Sequence, residues 1–140
     1  MKLKVKKIRP DAIIPNYALN GDAGLDLYSC IDTSLEQNQR MLIPTGIAIE
    51  LPKEYVALIW GKSGLALKNG VSILGGVIDS NYRGEIGVVV LNNNYDDLVI
   101  KKGQKIAQML IQPIETPQIE EVNELNDTNR GENGFGSTGL

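Results

Sequence analysis

Short runs of Val, Ile and Leu, each closed within a few residues by a turn signal, recur along this chain and favour β-strands. They occupy residues 3–8, 42–51, 55–60, 71–78, 86–91, 98–100 and 105–111. Pro44, Pro52, Asn69-Gly70, Gly75-Gly76, Asn92-Asn93-Asn94 and Lys102-Gly103 punctuate them. No long stripe of helical period is present, and residues 63–68 have room for a turn or two of helix at most. Many short strands at regular spacing predict an all-β sandwich or jelly roll. With 140 residues, one domain with a core is expected. Aromatic residues make up only 5% of the chain, so the aliphatic residues that favour strands must fill that core.

Composition also limits the chemistry. The sequence contains no histidine, which removes Ser-His, Cys-His and His-zinc sites together. A catalytic base must therefore be a carboxylate, Tyr or Lys. Cys30 is the only cysteine, so no internal disulfide forms. The formal net charge of −3 gives no basic face for nucleic acid. The Lys-rich alternation Lys2-Leu3-Lys4-Val5-Lys6 reads as a half-buried strand with one solvated face. No apolar run approaches the roughly 18 residues of a membrane span, and Pro10, Asp11 and Pro15 interrupt any signal-peptide pattern. A soluble cytoplasmic protein is the expectation.

Residues 123–140 differ from the rest. They are polar and glycine-rich, and carry a single aromatic, Phe135. Such a segment buries little surface alone and is expected to be a mobile arm. Two glycine patterns call for care. Gly134-Phe135-Gly136-Ser137-Thr138-Gly139 spells the dinucleotide fingerprint, which works only between a strand and a helix; with one residue after it here, it is not expected to open a helix. Gly61-Lys62-Ser63 matches the end of a phosphate-binding loop, but Val56 stands where that loop needs its first glycine. Both segments still expose backbone N–H groups beside hydroxyls, a combination that suits phosphate oxygens. Two of them in one chain suggest a polyphosphate gripped from two sides.

Five segments then line up in order. They are residues 23–29 (AGLDLYS), 61–66 (GKSGLA), 76–86 (GVIDSNYRGEI), 103–108 (GQKIAQ) and 130–139 (RGENGFGSTG). In this order they resemble the five motifs of the trimeric dUTP pyrophosphatase family. The resemblance covers nearly the whole chain, and its third and fifth segments are long and specific. It implies a jelly roll or distorted β-barrel over residues 1–122, closed by an arm over 123–140. It also implies hydrolysis of dUTP to dUMP and pyrophosphate, which limits uracil incorporation into DNA and supplies dUMP for thymidylate synthesis.

The resemblance assigns catalysis to Asp79, and the missing histidine agrees, since a carboxylate must then deprotonate the attacking water. An Asp between apolar Val77-Ile78 and Tyr82 suits a base working near neutral pH, although alone it reads as a residue opening a turn before Ser80-Asn81. By resemblance Tyr82 packs on the deoxyribose and excludes a 2′-hydroxyl. The hairpin over residues 73–79, with Ile73, Gly76, Val77 and nearby Gly87, resembles the family's uracil slot, which pairs the base through backbone groups. Lys62, Ser63, Gly64 and Gln108 face the phosphates. Asp26 reaches Mg²⁺ through water, the ion being held mainly by the triphosphate. Arg130, Phe135, Gly136, Ser137 and Thr138 belong to the arm, with the ring stacking on uracil and the hydroxyls holding the γ-phosphate. Arg83 and Glu85 read as structural ion pairs. The family is a homotrimer with shared active sites, each built from three chains. Gly61-Lys62 departs from the Pro-Arg that most members carry, leaving open whether Lys62 binds phosphate or braces a subunit contact. Two alternatives remain: a nucleotide-sensing regulatory module on the same fold, and a relative of dCTP deaminase.

Overall fold

A computed structural model describes residues 1–139. Eleven strands and one short helix follow in the order β1 (Lys4–Lys7), β2 (Leu25–Tyr28), β3 (Thr33–Leu35), β4 (Arg40–Pro44), β5 (Ile47–Glu50), β6 (Tyr55–Trp60), α1 (Ser63–Asn69), β7 (Val71–Leu74), β8 (Val77–Ile78), β9 (Gly87–Asn92), β10 (Leu98–Ile100) and β11 (Lys105–Pro113). All pairings are antiparallel. The largest sheet runs β2-β11-β6-β8, a second runs β4-β9-β7, and the pairs β1-β5 and β10-β3 complete the body. Leu27, Ile43, Ile47, Ile86, Val88, Val90, Ile106 and Met109 fill the space between the sheets and are almost fully buried. Aliphatic side chains alternate inward along β9 and so supply the core that the scarce aromatics do not. The all-β expectation holds, and the room for a turn or two of helix expected over residues 63–68 is taken up by α1, which runs one residue further.

Two apolar runs turn out to be two strands each. The run over residues 42–51 breaks at Thr45-Gly46, where Thr45 is buried and its hydroxyl donates to Ile86 O at 2.6 Å. Gly46 sits at φ +72°, and a Cβ there would lie 2.6 Å from Cys30 Sγ. Cys30 is thus a packing residue at a sheet corner. The run over 71–78 breaks at Gly75-Gly76, the hairpin between β7 and β8. The strands β2 and β3 were not expected. In β2 the charged Asp26 interrupts the apolar pattern, and β3 is short and mostly polar.

Strand pairing ends at Pro113, and Ile114 N–H donates to Glu54 O as the chain leaves the sheet. Residues 115–132 are exposed and without regular structure, and the next ones, to 139, form only local turns. Among the described residues, no helix is long and apolar enough to cross a membrane.

Candidate active site

One cleft of about 510 Å³ is lined by both ends of α1 and by the first half of β11 with the residue before it, including Lys62, Ser63, Gly64, Lys68, Gln104, Lys105 and Gln108. Regular alternation would point Lys105 and Gln108 to opposite faces of β11. A bulge between Lys105 and Ala107 adds a residue and turns both into the same cleft. Gln108 lies opposite both Asp26 on β2 and Trp60 on β6, and its amide donates to Gly61 O at 2.9 Å. Its carbonyl end rests on Gly24, where an added Cβ would fall 2.5 Å from Oε1. That contact accounts for the glycine of the first motif. Ser63 and Gly64 open α1, so their N–H groups have no partner within the helix.

Beneath this cleft Asp26 is 3% exposed, in the middle of β2 rather than at a surface strand end. Lys62 Nζ donates to its Oδ1 at 2.5 Å, and Lys105 Nζ lies 2.6 Å from Oδ2. Burial pushes the carboxyl's pKa up, and the ammoniums of Lys105 and Lys62 outweigh that effect, so it stays below the ordinary Asp value. Lys62 therefore rests on a buried carboxylate of its own chain. Lys105 was not singled out in the sequence. Its signal was a Lys beginning a strand two residues after Gly103, which by itself reads as a solvated face.

A second cleft, of about 300 Å³, lies along the β7-β8 hairpin and is lined by Leu58, Ile59, Trp60, Gly61, Ile73, Gly75, Gly76 and Val77. It contains three of the four residues expected to form the base slot. Gly87 is not among them; it opens β9, pairs with Pro44, and lies against Leu42, whose Cδ1 would be 2.5 Å from an added Cβ. Gly76 holds the slot open with φ +98° while its carbonyl accepts from Ile59 N–H at 2.8 Å. A Cβ there would lie 2.8 Å from Ile59 O. Gly76→Ala is therefore expected to cost about 2 kcal/mol or more and lower Tm by roughly 5–10 °C, read in a thermal melt.

Asp79 follows directly on β8 and opens a tight turn, its carbonyl accepting from Tyr82 N–H at 3.1 Å. Arg83 clamps this turn by donating to Ser80 O at 2.7 Å and Tyr82 O at 3.0 Å. It acts through backbone carbonyls, where an ion pair was expected. Glu85 does form one, with Arg9, and also accepts from Gly46 N–H at 2.8 Å. The Tyr82 ring leans over Gly84, remains 45% exposed, and donates its hydroxyl to Glu85 O at 3.0 Å. The apolar enclosure expected around Asp79 is absent within one chain. Asp79 is exposed, in a cleft of about 440 Å³ with Lys53, Tyr55, Val56, Ser80, Asn81, Ile114 and Thr116. This cleft lies by the first residues of β6, and the lysine cleft lies just past its last. The length of β6 separates them by roughly 15–20 Å.

In the arm, Arg130 Nε donates to Asn133 O at 2.8 Å, and Ser137 N–H donates to Gly134 O at 3.1 Å. Phe135 sits at φ +51° and is fully exposed. Gly136, Ser137 and Thr138 are not among the residues lining either cleft.

A family model described as dUTPase matches residues 10–139. The chain belongs to the dUTPase family. Deoxyuridine 5′-triphosphate nucleotidohydrolases of Clostridium novyi and Clostridioides difficile are 51% and 50% identical to it, over at least 98% of every chain involved. Among solved structures, a Staphylococcus bacteriophage 80alpha dUTPase with dUpNHpp superposes with a TM-score of 0.95 at 30% identity, covering 99% of both chains. The jelly-roll expectation agrees with that likeness. A dUTPase from phage phi11 of S. aureus, 28% identical with a TM-score of 0.86, is described with a structural Mg(II) ion; it covers 91% of this chain and 100% of its own.

The residues of this dUTPase present one arrangement that suits magnesium. Among the described residues, no group of three or more His, Cys, Asp or Glu could cage a metal. Asp26 is the one carboxylate beneath the lysine cleft, and both its oxygens carry ammoniums. This donor set fits an ion that arrives on phosphate oxygens and keeps most of its own waters. It does not fit an ion resident in the free chain.

Proposed function

We propose that this dUTPase hydrolyses dUTP through a water activated by Asp79, with the base held in the β7-β8 hairpin. The observation that carries this reading is the join between β8 and the Asp79 turn, which sets a carboxylate at the end of a backbone-lined slot. Uracil pairs with N–H and C=O groups of the slot as a neighbouring strand would. Cytosine presents a mismatched pattern there and leaves buried polar groups unpaired. Tyr82 packs on the deoxyribose where a 2′-hydroxyl would collide. Asp79 takes a proton from water as its oxygen bonds to the α-phosphorus, and pyrophosphate leaves with the bridging oxygen. Ser63, Gly64 and Gln108 donate to phosphate oxygens, and Lys62 adds a charge. Asp26 would meet the waters of a magnesium ion carried on the triphosphate, and the ion would supply neutralisation of phosphate charge. The arm of residues 123–140 closes with Phe135 on uracil and Arg130, Gly136, Ser137 and Thr138 near the γ-phosphate.

One chain cannot do this alone, because Asp79 and Lys62 lie at opposite ends of β6. We infer a homotrimer in which the third motif comes from one chain, the first, second and fourth from another, and the fifth from the third. Exposed Leu42, Trp60 and Val77 are available for such contacts. A cytoplasmic setting suits a nucleotide substrate, and no nucleic-acid or membrane partner is proposed.

Pyrophosphate release measured with dUTP, UTP, dCTP and dTTP in the presence of magnesium tests the reading. The expected kcat/KM favours dUTP by about 10³-fold or more; a folded trimer silent on dUTP overturns it. At Lys62, arginine is expected to retain most activity, because it keeps both the charge and the Asp26 pair. Alanine is expected to raise KM roughly 10- to 100-fold. An unchanged KM in the alanine variant would remove Lys62 from the phosphate site.

A second role has one specific observation behind it. A phage 80alpha dUTPase, 31% identical with a TM-score of 0.94, is described among phage dUTPases that control transfer of virulence genes. A nucleotide-dependent hold on a protein partner, alongside hydrolysis, is the corresponding reading for this chain.

A further inference from the structure

Lys105 lines the lysine cleft with Lys62 and Lys68, yet its ammonium rests on Asp26 together with that of Lys62. Two ammoniums share the two oxygens of one carboxylate. That carboxylate is almost wholly buried, while the lysine side chains remain 31% and 44% exposed. The lysines can therefore swing toward an incoming anion, and Asp26 cannot follow them. Three ammoniums face Asp26 and the more distant Asp22, which also acts on Lys105, so the cleft keeps a net positive charge. Free triphosphate carries more negative charge than this, and a bound divalent cation brings the two closer to balance.

We propose that Lys105 is a phosphate-binding residue of this site, and that Asp26 parks it and Lys62 until magnesium triphosphate arrives. On binding, both ammoniums leave the carboxylate for phosphate oxygens, and the freed Asp26 oxygens accept hydrogen bonds from the waters of the metal. Asp26 is then a restraint on the lysines in the free enzyme and a partner of the metal in the complex. No bond is made or broken in the exchange. The bulge in β11 is what brings Lys105 into this arrangement. The inference rests on the phosphate site proposed above and goes beyond it by adding a cation and an order of events.

Inorganic tripolyphosphate, titrated calorimetrically into the full-length protein with and without magnesium, tests it. Lys105→Met is expected to weaken binding about tenfold under both conditions, and Lys105→Arg to restore it. Asp26→Asn releases the lysines, so metal-free tripolyphosphate is expected to bind severalfold more tightly while the benefit from added magnesium shrinks. A merely structural Asp26 would instead weaken binding in both conditions, which overturns the parking role. Unchanged affinity in a folded Lys105→Met, checked by near-UV circular dichroism, overturns the role of Lys105. Because Lys105 is the more exposed partner, its methionine variant is the safer one to fold. Turnover of dUTP by the wild-type protein is scored separately, so failure of the enzyme reading is not confused with failure of this one.

Discussion

Asp79→Asn is expected to lower kcat for dUTP by about three orders of magnitude while the nucleotide still binds. Asparagine keeps the size of aspartate and its ability to open the turn to Tyr82, so the hairpin and the Arg83 clamp should survive. What it loses is the capacity to accept a proton from water. The other residues of that cleft are Lys53, Tyr55, Val56, Ser80, Asn81, Ile114 and Thr116, so it holds no second carboxylate, and the chain has no histidine. Steady-state rates give the loss, and calorimetric titration with a non-hydrolysable dUTP analogue shows whether binding persists. A variant keeping a tenth or more of the wild-type rate removes Asp79 from the role of base.

Truncation after Val122 is expected to cost about 100-fold or more in kcat/KM with almost no change in Tm. The arm's described hydrogen bonds are internal turns, such as Gly131 N–H to Thr128 O and Gly139 N–H to Gly136 O, so the body loses no support. What the catalytic site would lose is the proposed cover over the base and the proposed donors to the γ-phosphate. Phe135→Ala alone should account for part of this, on the order of 1–3 kcal/mol, the range for a base stacked on an aromatic ring. A thermal melt and dUTP kinetics on the same preparation separate the two effects. A truncated protein with full activity would show the arm to be irrelevant to turnover.

Much of this fold was legible because its strands are short, aliphatic and bounded by Gly, Pro and Asn. Periodicity and turn chemistry read such elements well, as they did for β6, β9 and β10. They missed β2 because Asp26 breaks the apolar pattern. Its burial is made tolerable by two lysines, one of them on the distant β11, and no local pattern reports such a partner. Gly24 carried a motif whose reason, room for the Gln108 amide, lies across the sheet. The hairpin and its Asp79 turn were readable because Gly75-Gly76 and Ser80-Asn81 mark them locally. The surroundings of Asp79 were not. Flanking apolar residues suggested enclosure, but alternation along so short a strand leaves Asp79 facing water in a single chain. Lys105 escaped notice because its direction depends on a bulge.

The closure proposed for the arm would also set when the enzyme lets go. Fixing an arm residue costs about 1–2 kcal/mol of backbone entropy, and none of the arm's described hydrogen bonds reaches the body to lessen that cost in advance. Only a ligand offering both a base for Phe135 and phosphates for the hydroxyls and Arg130 can offset it. Once the α–β bond is cut, no single product carries both handles. Cutting the substrate would thereby loosen the proposed lid, and an arm whose described hydrogen bonds are all internal would act as a timer for product release.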